Sequence, residues 1–298
     1  MSARALGGLN VMPDDSSQRF SGASSDAIRF HYDTGADFFR GFLGRTMAYS
    51  AARFAAEDED LDLAQDRKLQ HHLDTIGAAS GFRLLDIGCG WGSAIRAGIV
   101  ACDIKSAVGL TLSDEQHRHV NSLGLAGVES RLQSYEWFEP DELFDGALSI
   151  GSFEHFSKPG LDRNRRLSIY RNFFSRARSF LRRRGRLSLQ TITWGQLSAD
   201  QKALVRLEDY FPESDLPEIA EVVTAASPYF RLLQLENRPD DYAITLRRWM
   251  RALAVNEVAL VGLTGAERHR FYVECFRGGL ALFRSRRLNL CRFGFERL

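Results

Sequence analysis

The 298-residue sequence predicts an α/β fold: a mostly parallel sheet covered by helices on both faces. Two observations carry this prediction. From residue 81 onward, short β-type apolar runs alternate with amphipathic stretches of helical period, as buried parallel strands and their crossover helices require. The first of these runs also ends in a glycine-rich turn, "RLLDIGCGWG", which is how a strand hands over to a helix at a ligand site.

Each element follows in order. Residues 1–26, rich in Ser, Gly and Asp, lack periodicity and are expected to form a flexible leader. Residues 27–80 read as an N-terminal helical cap, where "DLDLAQDRKLQHHLDTIGA" places apolar residues at 61, 63, 69, 73 and 76 before a glycine stop. Residues 81–196 form the core. There "FRLLDIG", "SAVGLTL", "FDGALSIGSF" and "GRLSLQTITW" are strands, and "WGSAIRAGIVACD", "SDEQHRHVNSLGL" and 165–181 are helices. Residues 197–250 read as a helical insertion over the acceptor side. Residues 251–298 complete the core, as closing strands or as a helix followed by a strand.

Composition narrows the function classes. Hydrophobic residues make up 44% and charged residues 26%, with a net charge of +1, so no global charge suits nucleic acid. The four cysteines, Cys89, Cys102, Cys275 and Cys291, have no metal-ligand or paired spacing and are read as reduced, with no metal expected. No signal pattern and no run near the ~18 apolar residues of a membrane span is present, so a cytoplasmic protein with at most peripheral membrane contact is expected. Residues 162–186 hold ten Arg and one Asp, read as a solvated helix face rather than a docking face. His71, His72, His117 and His119 are expected on solvated helix surfaces.

Gly88, Gly90 and Gly92 give G-x-G-x-G rather than the G-x-G-x-x-G of a dinucleotide loop, and Asp86 stands just ahead of them. A carboxylate there repels a pyrophosphate but attracts a cationic ligand, which favours S-adenosyl-L-methionine over a nicotinamide nucleotide. A helix-capping turn without a ligand is the alternative. After the second strand, Thr111, Leu112, Ser113 and Gln116 offer hydroxyl and amide groups in place of the usual ribose-binding acid. After the third, Gln133, Tyr135, Glu136 and Trp137 offer acceptors and an aromatic plane for adenine.

With these motifs in hand, the chain resembles the cyclopropane-fatty-acid synthase and mycolic-acid cyclopropane synthase family of S-adenosylmethionine-dependent methyltransferases. The resemblance runs from about residue 27 to the end, through "HYDTGADFFRGFLGRTMAYSAARF", "QDRKL", "RLLDIGCGWG", "VGLTLSDEQ", "SYEWFEP", "LSIGSFEHF", "LSLQTI", "YFPESDLP", "NRPDDYAITLRRW" and "GGLALFRSRRLNL". It implies a Rossmann-like class I methyltransferase with a seven-stranded sheet and a helical cap over an acceptor pocket. It also implies that Tyr49, Ser50, Gly88, Gly90, Thr111, Gln116, Tyr135 and Glu136 hold the cofactor, and that Glu154, Ile192 and Tyr242 face the acceptor. Tyr32, in the first motif, is placed on the acceptor side as well. Two departures stand out. The family's usual cysteine and histidine, which help hold a bicarbonate base, are here Ala51 and Gln190.

These residues suit methyl transfer to an alkene, whose π electrons need no prior deprotonation; the resulting cation is then stabilised and loses a proton. Glu154 is assigned as the base, assisted by His155, with Tyr242, Phe153 and Phe156 as aromatic faces for the cation. C-methylation of an isoprenoid or fatty-acyl alkene is the leading expectation. Cyclopropanation of an acyl chain, N- or O-methylation of a secondary metabolite, and an inactive cofactor-binding subunit are the alternatives. Arg247 is assigned to an anionic part of the acceptor, such as a diphosphate or carrier link. A homo-oligomer is left open.

Overall fold

The computed structural model describes residues 22–205, 211 and 213–298. Of the leader expected over 1–26, residues 1–21 lie outside the described residues. The core strands are β1 (Arg83–Ile87), β2 (Ser106–Thr111), β3 (Val128–Leu132), β4 (Phe144–Ile150), β5 (Leu181–Trp194), β6 (Phe230–Asn237) and β7 (Leu288–Arg297). They form one sheet in the order β3-β2-β1-β4-β5-β7-β6. β1 pairs in parallel with β2 and β4, β2 with β3, and β4 with β5; β7 runs antiparallel to both β5 and β6.

Helices cross over between the strands as the apolar periodicity predicts. α1 (Ser25–Tyr32), α2 (Ala36–Leu43) and α3 (Leu61–Ile76) precede the sheet. α4 (Ser93–Cys102), α5 (Asp114–Ser122) and α6 (Arg163–Phe180) link successive strands of the parallel part. Beyond β5 come α7 (Ala199–Ala203), α8 (Ile219–Ala226), α9 (Pro239–Val255), α10 (Glu257–Thr264) and α11 (Ala266–Arg284). No helix among the described residues is long and apolar enough to cross a membrane.

The segment 197–250, expected as helices, also contributes β6. Among the described residues this strand pairs only with β7, at the edge of the sheet, and Leu232, Leu233 and Leu235 remain exposed. An edge strand of this kind lacks the buried apolar run by which interior strands are read. The tail resolves to its helix-then-strand alternative, α11 followed by β7.

A roof over the C-terminal ends of the strands is built from aromatic contacts. α2 buries Phe38, Phe39, Phe42 and Leu43 on one face. The Phe42 ring lies 6.2 Å from Trp249 of α9 and 5.6 Å from Phe276 of α11, and Phe38 lies 5.0 Å from Tyr272. Edge-on and tilted aromatic pairs of this kind each add about 0.5–1.5 kcal/mol beyond the area they bury. They join α2 to α9 and α11.

The underside of α3 is polar but buried, contrary to the expectation of a solvated face at His72. His72 is fully buried, with Nδ1 2.8 Å from Ser188 Oγ and Nε2 3.4 Å from Gln190 Oε1. Beside it, Arg292 of β7 is 1% exposed and donates to Gln190 Oε1 at 2.7 Å, Asp241 Oδ2 at 3.0 Å and the Ala52 carbonyl at 2.9 Å. Burial of such charges is tolerated only with partners of this quality, since loss of one partner typically costs about 3–5 kcal/mol.

The arginine-rich segment behaves as a solvated face. Arg166 pairs with Glu221, Arg176 with Glu139 and Arg182 with Asp145. Residues 182–186 lie beside Phe144 at the start of β4, while Gln190 pairs with Ile150 at its other end, next to the glycine turn. The arginines at the start of β5 are thus at the end of the sheet away from the ligand site.

Candidate active site

Two cavities meet at the C-terminal ends of the central strands, where open parallel sheets bind ligands. The first is lined by the glycine turn after β1, the ends of β2 and β4, and the loop residues Gln133, Ser134, Tyr135 and Glu136 after β3. The second, about 400 Å³, lies under the roof and has an apolar wall that includes Leu246, Trp249, Phe276, Phe283 and Leu290. Five residues line both: Tyr32, Tyr49, Ser50, Gly151 and His155. A group passed from one cavity to the other crosses between these side chains.

In the first cavity, the backbone at Gly88 has φ +81°, and a Cβ there would fall 2.4 Å from Ser152 Cβ, so only glycine closes this turn. Gly90, also at positive φ, has no atom within 4 Å of where a Cβ would stand, and it lines the cavity. The turn therefore leaves room for a ligand at its middle glycine. Gly92 instead caps α4, with Val120 behind it, and does not line the cavity. Thr111, Leu112 and Gln116 do line it. Thr111 Oγ1 donates to Gln116 Oε1 at 2.7 Å, which fixes the orientation of the Gln116 amide. Trp137 is half exposed and lies outside the lining, so the aromatic wall comes from Tyr135, whose ring sits 4.7 Å from Phe156.

Asp86, 2% exposed, lies against this cavity, and burial pushes its carboxyl up to about 7. Lys68 of α3 faces the same space, and burial pulls its ammonium down to about 7, with Arg292 adding to the effect and Asp86 opposing it. Its Nζ donates to Ser50 Oγ at 2.9 Å. A buried acid whose carboxyl is pushed up by desolvation is better held in its charged form when a cationic group arrives, and this suits the ammonium and sulfonium of S-adenosylmethionine. Lys68 and Trp91, which also line the cavity, were not anticipated from sequence. The i, i+4 spacing of Lys68 and His72, on the turns of α3 that also bury Leu69, Leu73 and Ile76, is the signal that marks the lysine.

The second cavity holds the assigned acid. Glu154 stands on a 3-10 turn, Phe153–His155, directly after β4. Its Oε1 accepts the Ile192 N–H at 2.6 Å, and its buried Oε2 has no partner among the described residues. Burial pushes this carboxyl up to about 7. Tyr242 lies in the same wall, stacked on Phe283 with ring centroids 4.5 Å apart, and burial together with the Glu154 charge raises its phenol. Gln190 and Ile192, two residues apart on β5, line this cavity too.

Three assignments change. Both ring nitrogens of His155 are engaged, Nε2 with Tyr32 Oη at 3.2 Å and Nδ1 with Ser214 Oγ at 2.8 Å. Burial pulls the imidazole down to about 4, so it is neutral at pH 7 and holds the shared wall rather than assisting Glu154. Phe153 is fully buried and stacks on Tyr170 of α6 at 4.8 Å, in the core rather than at the cavity. Arg247 points outward to Glu57 at 2.5 Å and lines neither cavity, because its turn of α9 faces solvent while Leu246 and Trp249 face inward.

This strand order, glycine turn and paired cavities define a Rossmann-like methyltransferase of class I. The family model for mycolic acid cyclopropane synthetase matches residues 21–293. The chain therefore belongs to that family, and is an S-adenosylmethionine-dependent methyltransferase. It is 32% identical over 286 residues to cyclopropane mycolic acid synthase 2 of Mycobacterium bovis, covering 90% of this chain and 93% of the relative. The solved structure of the cyclopropane synthase MmaA2 from Mycobacterium tuberculosis superimposes with a TM-score of 0.82 at 31% identity, covering 92% of this chain and 99% of the other. Mycolic acid cyclopropane synthase CmaA1 complexed with SAH and CTAB gives the same TM-score, 0.82, and the same coverage, 92% and 99%, at 31% identity.

Proposed function

We propose that the protein methylates a carbon of an alkene in an apolar acyl or prenyl chain, and that the carboxylate of Glu154 itself takes the proton released afterwards. The observation that carries this reading is the Glu154 side chain: one oxygen is anchored by the Ile192 N–H, while the other is buried and unpaired at the acceptor cavity. When bound in the first cavity, S-adenosylmethionine supplies an electrophilic methyl carbon.

The residues then divide the work. Asp86, Gly90, Gln116, Tyr135 and Glu136 hold the donor, and Tyr49 and Ser50 separate it from the acceptor. Trp249, Tyr242 and Tyr49 present ring faces to the acceptor carbon that becomes positive, worth about 1–2 kcal/mol each when desolvated. The ionised Glu154 completes that stabilisation and accepts a proton from the adjacent carbon, so the C–H electrons form the new alkene. The proton then leaves the carboxyl for solvent. Ring closure on an acyl chain is the second reading, favoured by the named activity of the relatives.

The test is incubation with S-adenosylmethionine carrying a deuterated methyl group, together with unsaturated acyl lipids, prenyl diphosphates and amines. The expected product is an acyl or prenyl chain whose new methyl retains all its deuterium. A ring carbon that has lost one deuterium establishes cyclopropanation instead, and label on nitrogen refutes both readings.

A further inference from the structure

We infer that Gln190 is a specificity-determining hydrogen-bond donor, and that the acceptor carries a neutral oxygen function, an ether, carbonyl or hydroxyl, close to the carbon that is methylated. This inference rests on the proposed acceptor role of the second cavity.

The argument begins with the orientation of an amide. The two ends of a glutamine side chain look alike in shape, and their assignment follows from the partners. Arg292 settles it here, because a guanidinium only donates: its Nε lies 2.7 Å from Gln190 Oε1. The guanidinium is itself clamped by Asp241 at 3.0 Å and by the Ala52 carbonyl at 2.9 Å, and Asp241 is held in turn by Arg238 at 2.8 Å. Gln190 is 1% exposed. With its oxygen committed to Arg292 and approached by His72 Nε2, the amino group has no partner among the described residues and is left to the acceptor cavity that Gln190 lines.

A buried N–H donor of fixed direction stabilises a complex only if the ligand brings an acceptor atom to it, and it penalises a ligand that brings carbon. Charge decides what kind of acceptor. The amide is neutral, the Arg292 guanidinium is held away by Asp241, which it shares with Arg238, and by the Ala52 carbonyl, and the free oxygen of Glu154 lies in the same cavity. An anionic group at the Gln190 amide would face Glu154 in its ionised form, while Arg287, the cation in the cavity lining, stands ahead of Leu288 at the Trp194 end of β7, four residues along β5 from Gln190. A neutral oxygen fits, and a bare hydrocarbon chain leaves the amide unpaired.

The experiment measures binding to the full chain saturated with S-adenosylhomocysteine, using geranyl methyl ether and the hydrocarbon in which its oxygen is replaced by CH2. Wild-type protein is expected to bind the ether about tenfold more tightly than the hydrocarbon. In Gln190→Glu, which keeps an oxygen for Arg292 but removes the donor, that preference disappears or reverses. Gln190→Leu removes both and serves as a second variant, with Gln190→Glu securing the result if the leucine protein does not fold. Equal binding of the two probes by the wild type, or an ether preference that survives Gln190→Glu, overturns the inference. Bicarbonate that displaces the ether from the wild type but not from Gln190→Glu also overturns it, because the amide would then serve an anion. Failure of the proposed function appears elsewhere, in the labelled-methyl product, and leaves this binding comparison unchanged.

Discussion

Glu154→Gln is expected to lower turnover by about a thousandfold or more while donor affinity stays within about twofold, since a positioned base typically contributes 10²–10⁴ to the rate. The substitution preserves shape and keeps an oxygen for the Ile192 N–H, so the loss isolates the charge and the proton-accepting lone pair. Its effect on stability runs the other way. Burial raises the Glu154 carboxyl from 4.5 to about 7, so the folded state favours the neutral form. The stability this group contributes is complete below its unfolded value and declines as pH rises through about 7. Above that pH, wild-type protein pays a burial cost on the order of 3 kcal/mol that the glutamine removes. Thermal melts on the alkaline side should therefore show the inactive variant melting higher than the wild type. A variant that is both active and less stable would place the proton elsewhere.

Asp86→Asn is expected to weaken S-adenosylmethionine binding by about ten- to a hundredfold, the range that loss of a charge-assisted hydrogen bond implies. Asp86 and Lys68 share a buried space, so removing the acid also leaves Lys68 without its opposing charge. The double variant Asp86→Asn, Lys68→Met separates the two effects. Its melting temperature should recover relative to the single variant, because no lone ammonium remains buried, while donor affinity measured by calorimetry should stay weak. Recovery of both would assign Asp86 to the fold alone.

What the sequence discloses of this molecule follows from how each residue is buried. The interior strands were legible because β1, β2 and β4 are covered on both faces and so carry short, mostly apolar runs. β6 was not legible, since an edge strand with exposed leucines satisfies no such rule. The glycine turn and Glu154 could be read because their chemistry is local: an acid ahead of a tight turn, and an acid in a strand-end motif. Arg247 and Phe153 were misplaced because nearness in sequence to a site residue says nothing about facing. One turn of α9 sends Arg247 to Glu57 and Leu246 into the cavity. The buried network of Lys68, His72 and Arg292 was hidden for a related reason, since charges on a helix usually mark its wet face. Arg292 within "LNLCRFGF" offered the clearer sign, because a lone arginine in an apolar strand must bring its own partners. The role of Gln190 depends on that arginine across the strand pair, a contact no local pattern contains.

The proton-accepting role of the Glu154 carboxylate is the claim on which the account turns, and a single-turnover rate measured through pH 7 in carbon-dioxide-free buffer, with and without added bicarbonate, tests it most directly. The account predicts a rate that climbs as pH passes upward through about 7 and is indifferent to bicarbonate. A rate that rises saturably with bicarbonate while Glu154 is intact would contradict it.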